Sequence, residues 1–167
     1  MIKRIYSILF ICHDNACLSI MAQSVLRAEG PASCSAFSAG VEPSGVVSPL
    51  ALRLLAESQY PLDGSRTKSW DEFATASAPQ LDFVFSLRGP TLFDSHPVWP
   101  GPPRLVDWTL DDPASMADEA DAEICARRAL RELTASIRRL VDLSQDDFFA
   151  VSSLRKLQDI GPRGSGS

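Results

Sequence analysis

The segment Ile8–Leu26, "ILFICHDNACLSIMAQSVL", predicts a buried strand, a short polar loop and an amphipathic helix in direct succession. The apolar, β-branched run Ile5–Ile11 is typical of a strand that is covered on both faces. From Ser19 onward the apolar residues recur at helical spacing, and Gly30 ends the helix. A buried strand that leads straight into a helix indicates a parallel sheet, because parallel strands are joined by crossovers.

The rest of the chain continues this alternation. Further strands are expected over residues 35–40, 81–87 and 104–108, and further helices over residues 49–58, 67–74, 118–143 and 151–161. The alternation predicts an α/β fold in three layers, a four-stranded parallel twisted sheet with helices on both faces. With 167 residues, the chain fills one core and is too short for two ordinary domains. We therefore expect a single domain over residues 1–161 and a flexible tail over residues 162–167.

Composition and charge argue against several classes of function. A net charge of -5 disfavours a general nucleic-acid binder, which needs clustered Lys and Arg. No apolar run reaches the ~18 to 20 residues of a membrane span, so we expect a cytoplasmic protein without membrane contact. The cysteines, Cys12, Cys17, Cys34 and Cys125, form neither a disulfide framework nor a zinc-ligand pattern. We expect no metal and no cofactor.

The loop after the first strand has the layout of an anion-binding site. Backbone N–H groups that turn inward between a strand and a helix form an anion nest, and the helix N-terminus adds positive potential. Cys12 stands at this junction, where a cysteine is biased toward the reactive thiolate. The alternative is that Cys12 is a small buried apolar residue. The loop from His13 to Ser19 contains no Arg and no Lys to hold an anion.

The order of several segments strengthens the functional interpretation. After "ICHDNACLSIMA" come "YPLDGSRTKSWDEF", "LDFVFSL", "HPVWPG" and "VDWTLDDPA". In this order and at these separations, they resemble the low-molecular-weight protein-tyrosine-phosphatase family, and most closely its arsenate-reductase branch. The resemblance extends to about Leu143. It implies the same three-layer α/β fold as the pattern of elements does.

The resemblance assigns roles to a few residues. The family's nucleophilic cysteine falls on Cys12, its loop asparagine on Asn15, and the serine that hydrogen-bonds the nucleophile on Ser19. The general acid falls on Asp112, beside Pro113. In the implied mechanism a thiolate attacks phosphorus, the acid protonates the leaving oxygen, and water hydrolyses the phosphocysteine. In the arsenate-reducing branch the oxyanion is arsenate and further cysteines relay a disulfide.

The sequence also departs from the family's pattern. The arginine of the C-x5-R signature falls on Leu18, so the guanidinium that would hold the oxyanion is missing. Asp14 either repels an anion in the loop or points to solvent. The relay cysteines of the arsenate-reducing branch fall on Arg88 and His96. The anion loop implied by the resemblance comprises His13, Asp14, Asn15, Ala16, Cys17, Leu18 and Ser19.

Three residues carry further hypotheses. Arg88 follows the third strand and either restores positive charge at the loop or is simply exposed to solvent. Cys17 either forms a redox pair with Cys12 or packs beneath the loop. His13 either donates to an anion or is exposed, and we prefer the exposed position.

The sequence thus supports three alternative functions. The first is a degenerate phosphatase homologue, weak or inactive, that binds a phosphate-like anion, a phosphoprotein or another protein. The second is an active protein-tyrosine phosphatase, and the third an arsenate reductase or thiol redox protein that uses Cys12 and Cys17. The sequence predicts neither the physiological substrate nor the oligomeric state.

Overall fold

The computed structural model describes residues 5–143, 147 and 153–164. Four parallel strands form one sheet in the order β2-β1-β3-β4, with bounds Tyr6–Cys12 (β1), Cys34–Gly40 (β2), Phe83–Ser86 (β3) and Arg104–Asp107 (β4). The α-helices are Leu18–Glu29 (α1), Pro49–Glu57 (α2), Glu119–Val141 (α3) and Ser153–Asp159 (α4). The predicted α/β fold with a four-stranded parallel sheet is confirmed.

Strand β1 is central because its residues are apolar on both faces. Six of its seven residues are buried, and it pairs along its whole length with β2 and over residues 8–11 with β3. One face of the sheet packs on α1, α3 and α4 around Phe10, Phe85 and Trp108. On the other face, aromatic residues from the connecting segments cover Ile11 and Val84. A strand buried on both faces explains the continuous apolar run in the sequence.

The helix boundaries follow local capping chemistry. The Ser48 hydroxyl accepts the N–H of Ala51 at 3.3 Å, and Pro49 occupies the first turn of α2. The Asp118 carboxylate accepts the N–H of Asp121 at 2.8 Å and begins α3. Three short 3-10 helices lie in the connections, at Trp70–Phe73, Pro90–Ser95 and Pro113–Ser115.

Two predicted elements differ in detail. The helix expected over residues 67–74 is shorter and of the 3-10 type: it spans Trp70–Phe73, and the Ser69 hydroxyl accepts the Asp71 N–H at its start. The first residues of the predicted tail are hydrogen-bonded to the segment after β4. The Thr109 N–H donates to the Pro162 carbonyl at 3.0 Å, and Thr109 pairs with Arg163. Residues 165–167, and residues 151–152 of the last predicted helix, lie outside the described residues. The single-domain boundary at residue 161 stays a prediction.

The strand order places several connections at one edge of the sheet. The chain crosses from β1 to β2 on one side and to β3 on the other, so the strand order reverses next to the carboxyl end of β1. Such a switch point is where α/β sheets bind ligands. The connections that follow β1, β2, β3 and β4 all leave the sheet at this edge. Over residues 5–143, 147 and 153–164, no helix has the length and apolar character needed to cross a membrane.

Candidate active site

The candidate site is the connection between β1 and α1. Cys12 is the last residue of β1 and Leu18 the first residue of α1, so five residues span the gap. Asn15 has a left-handed backbone (φ 52°) and lets the chain reverse within this short distance. The loop therefore lies at the carboxyl end of the central strand and at the positive end of a helix.

Four carbonyl groups of the loop are bonded to the segment that follows β2. The pairs, donor first, are Val41 N–H to Cys12 at 3.3 Å, Glu42 N–H to His13 at 2.9 Å, Ser44 N–H to Asp14 at 3.0 Å and Ser48 N–H to Ala16 at 2.9 Å. In a planar trans peptide, a C=O and the N–H that follows it point in opposite directions. The N–H groups of residues 13, 14, 15 and 17 therefore turn inward, which is the geometry of an anion nest.

Gly40 permits this close approach. A Cβ at residue 40 would lie 2.8 Å from the Asn15 nitrogen and 2.9 Å from both the Asp14 carbonyl carbon and the His13 oxygen. All three are backbone atoms, which cannot move aside without changing the loop. The last residue of β2 is thus a glycine because the loop packs directly on it.

A chain of buried hydrogen bonds leads from the Lys68 backbone through Asn15 and Ser19 to the Cys12 sulfur. The Lys68 N–H donates to Asn15 Oδ1 at 2.9 Å, and Asn15 Nδ2 donates to Ser19 Oγ at 2.7 Å. Ser19 Oγ lies 3.0 Å from Cys12 Sγ, and the Ser19 hydroxyl donates to the sulfur when Cys12 is ionised, since a thiolate can only accept. This is the contact that the resemblance implied for Ser19.

The Cys12 thiol is buried and resists ionisation. Burial raises its pKa to about 11, and the negative charge of Asp14 adds a smaller rise. The hydroxyl and N–H of Ser19 and the N–H of Asn15 point to the sulfur and lower the pKa, but they only partly offset burial. At neutral pH the sulfur is therefore a thiol, which is a poor nucleophile.

Asp14 turns its carboxylate into the loop. Its Oδ1 accepts the N–H of Ala16 at 3.0 Å and lies 3.8 Å from Cys12 Sγ, within reach of the thiol proton. Of the two alternatives for this residue, the structure therefore shows the inward one. The Asp14 carboxylate already accepts a hydrogen bond from one backbone N–H of the loop. Its charge opposes both the binding of a second anion and the formation of a Cys12 thiolate.

Leu18 supplies no charge to the loop. Its side chain is 2% exposed and packs in the core with residues of α1. In the family's pattern this position belongs to the arginine that binds the oxyanion. The nest is thus built of backbone amides, and the side chain at position 18 adds no positive charge to it.

Asp112, the expected general acid, lies near the loop. Its charge raises the pKa of Cys17, which it can do only at short range. Its Oδ1 accepts the N–H of Ala114 at 2.9 Å and caps the 3-10 helix that begins at Pro113. The capping hydrogen bond holds the carboxylate in position. Pro113 is buried and anchors the turn.

Cys17 lies beneath the loop and close to Cys12. It is 7% exposed and unpaired, and burial raises its pKa, with further rises from Cys12, Asp112 and Asp14. Cys125 is also buried and Cys34 half-buried, and both thiols are free.

The two other candidate residues differ in their surroundings. His13 is exposed, with Nε2 3.6 Å from Glu42 Oε2. The half-buried Arg88 donates from its guanidinium to the Leu110 carbonyl at the end of β4. That Arg88 restores charge to the loop stays a prediction. Within the part of the chain that the structure describes, no group of His, Cys, Asp and Glu side chains is arranged to hold a metal ion.

Sequence reasoning missed two residues that shape the site, Gly40 and Lys68. Each acts from a distant segment through a backbone contact with Asn15 or its neighbours. A glycine at the end of a predicted strand was the one available signal for Gly40. Nothing local marks Lys68, since its contact uses a main-chain N–H that almost any residue would provide.

The loop's geometry agrees with a comparison to protein families. The family model of low molecular weight phosphotyrosine protein phosphatases matches residues 7–91, about half of the chain. The chain belongs to this family. The matched residues include the whole of β1, the loop, α1 and Gly40, so the resemblance expected from the sequence is confirmed.

Similar proteins support the likeness to the arsenate-reductase branch. A glutaredoxin arsenate reductase of Synechocystis sp. is 29% identical over 106 residues, which are 64% of this chain and 77% of that protein. An arsenate reductase from Archaeoglobus fulgidus is 26% identical with a TM-score of 0.63, over 81% of this chain and 99% of that one. A low molecular weight protein tyrosine phosphatase from T. tengcongensis shares the fold at 23% identity and a TM-score of 0.62, over 82% and 98% of the two chains.

The close approach at Gly40 predicts a specific loss of stability. Gly40→Ala is expected to lower the free energy of unfolding by about 1 to 3 kcal/mol, because the new methyl group overlaps backbone atoms. It also shifts the amide NMR signals of residues 13–15. Gly45→Ala is the control, since a Cβ there meets nothing within 4 Å. It costs about 1 kcal/mol through its positive φ and leaves the loop signals in place. A stable Gly40→Ala variant with native loop signals would contradict the packing described here.

The raised pKa of Cys12 predicts a pH profile. The thiolate absorbance of Cys12 is measured as the difference between the native protein and Cys12→Ser. It is expected to rise only near pH 11. Asp14→Asn lowers this midpoint, because it removes a charge that disfavours the thiolate. Glu42→Gln, on the exposed segment beside His13, serves as a charge-matched control that leaves the midpoint unchanged. A native midpoint below pH 7 would show that the sulfur is activated.

Proposed function

We propose that this protein is a degenerate member of its family, which keeps Cys12 and Asp112 but hydrolyses phosphomonoesters weakly or not at all. In this proposal it binds a phosphate-like anion, free or carried by a phosphoprotein. The observation that carries the proposal is the buried apolar side chain of Leu18, at the position where the family has its arginine. The family's reaction would have to proceed without that charge.

Two parts of the family's mechanism are weakened, the attack by the thiolate and the stabilisation of the transition state. Attack on phosphorus requires a thiolate, and a pKa of about 11 leaves on the order of 10⁻⁴ of Cys12 ionised at pH 7. The oxygens of the transition state would meet backbone amides and the Asp14 carboxylate. Loss of one oxyanion donor costs ~10² to 10³ in rate, and loss of an arginine that meets phosphoryl charge costs ~10³ to 10⁵. Asp112 remains in place to protonate a leaving oxygen.

Backbone geometry favours an anion as the ligand of the loop. The inward N–H groups of residues 13, 14, 15 and 17 and the N-terminus of α1 retain the features that bind oxyanions in strand-loop-helix sites. One solved structure of the same fold is described as an arsenate reductase in the phosphate binding state. This supports a phosphate-like anion, in competition with the carboxylate of Asp14.

The second candidate function is a thiol redox protein or an arsenate reductase. It is favoured by two free thiols, Cys12 and Cys17, at the start and the end of the same loop, which interact electrostatically. Arg88 and His96 stand where the arsenate-reducing branch has its relay cysteines, so any disulfide would form within the loop. Either function suits the cytoplasm, where free thiols stay reduced.

The decisive experiment measures hydrolysis of an aryl phosphate by the native protein, Cys12→Ser, Leu18→Arg and the uncharged control Leu18→Met. The native protein and Leu18→Met are expected to turn over at least ~10³-fold more slowly than a Leu18→Arg variant that folds. The native rate decides the matter even if Leu18→Arg does not fold. Ordinary turnover by the native protein, abolished in Cys12→Ser, would establish an active phosphatase and overturn the proposal.

A further inference from the structure

Lys68 is held in a setting that is unusual for a lysine. It is 9% exposed, and its Nζ donates to Ser38 Oγ on β2 at 3.1 Å and to the Arg66 carbonyl at 2.9 Å. The Ser38 hydroxyl is oriented to accept from Lys68, because its own proton goes to Gln23 Oε1 at 2.5 Å. The amine is thus fixed by two acceptors beside the edge strand β2, where Ser38 lies on the face that packs on α1.

Its surroundings disfavour the ammonium relative to that of an exposed lysine. A charged ammonium has three N–H donors, whereas the described residues offer Nζ two acceptors. Burial lowers the pKa of Lys68 to about 8, and the charges of Arg66 and Arg27 lower it further while Glu72 raises it. A neutral amine that donates both of its protons keeps a lone pair for reaction.

The side chain of Lys68 lines a surface groove of about 310 Å³. Two aromatic rings, Phe37 and Phe73, form part of its wall, edge to face with centroids 5.5 Å apart. The charges at the rim cancel, because the Arg66 guanidinium is ion-paired with the Glu72 carboxylate at 3.2 Å. An apolar wall and a neutral rim suit an uncharged organic molecule.

We propose that Lys68 is a nucleophilic lysine and that its groove takes small uncharged aldehydes as covalent adducts. The Nζ lone pair forms a bond to the carbonyl carbon while the C=O π electrons move to oxygen. The oxygen gains a proton, the nitrogen loses one, and a carbinolamine results. Loss of water then gives an imine. This site is separate from the Cys12 sulfur and does not rest on the proposed function.

The lysine content of the chain allows a clean test. The sequence has three lysines, Lys3, Lys68 and Lys156. Lys156 is the matched control, since it is exposed and its Nζ is 3.1 Å from Asp147 Oδ1. The intact protein is treated at pH 7 with limiting formaldehyde or benzaldehyde plus cyanoborohydride, which reduces any imine to a stable amine. Peptide mass mapping then gives the labelling rate of each lysine.

Lys68 is expected to react at least ~10-fold faster than Lys156 with both aldehydes. The expected margin follows from the neutral fraction, since a pKa of about 8 against an ordinary ~10.4 gives on the order of 10² more free amine at pH 7. The Lys68 rate should reach half its maximum near pH 8. In denaturing urea, the advantage over Lys156 should disappear, because the fold creates it.

The groove is tested with two variants of one exposed residue in its lining. Ser77→Trp should slow the labelling of Lys68 by benzaldehyde several-fold while formaldehyde labelling stays native, and Ser77→Ala should change neither. Equal labelling of Lys68 and Lys156 by formaldehyde overturns the nucleophilic lysine. Selective labelling by formaldehyde but not by benzaldehyde overturns the groove as its binding site. If Lys68 is still labelled faster than Lys156 in urea, the fold is not the cause of its reactivity.

Discussion

The site depends on one set of backbone hydrogen bonds, those between the segment after β2 and the carbonyl groups of the β1–α1 loop. They turn the loop's N–H groups inward, and they form only because Gly40 lets two stretches of main chain approach within contact distance. Main-chain interactions of this kind survive changes in the side chains of the loop. The nest can therefore form in a loop that contains no arginine.

The side chains of the loop oppose the chemistry that the nest would otherwise support. Leu18 is buried in the core, Asp14 places a carboxylate on the Ala16 N–H beside Cys12, and Cys12 is a thiol with a pKa of about 11. These effects act together. No cation of the loop itself offsets burial of the sulfur, and the carboxylate adds repulsion. Ser19 and Asn15 still direct their donors at the sulfur, but neutral donors offset only part of the cost of burying a charge.

Much of the fold could be predicted from local patterns. The apolar run of β1, the Ser48–Pro49 start of α2 and the alternation of elements determine the sheet and its helices. The site was predictable where it follows the order of the chain, as at Cys12 and Ser19. The roles of Gly40 and Lys68, and the inward turn of Asp14, were not predictable. The roles of Gly40 and Lys68 depend on contacts between residues far apart in sequence, which no local pattern encodes. The contacts of Asp14 are with Cys12 and Ala16, but they require the folded shape of the loop.

The central claim is that the nest is intact but that its own carboxylate and the lack of a cation within the loop weaken the binding of external anions. Calorimetric titration with inorganic phosphate, at constant pH and ionic strength, tests it most directly on the native protein, Asp14→Asn and Asp112→Asn. Asp14→Asn keeps an oxygen that can accept the Ala16 N–H and removes only the charge inside the loop. We predict that it binds phosphate at least ~10-fold more tightly than the native protein, a difference of about 1.4 kcal/mol, and that Asp112→Asn gains less. Equal affinity of the native protein and Asp14→Asn would contradict the account.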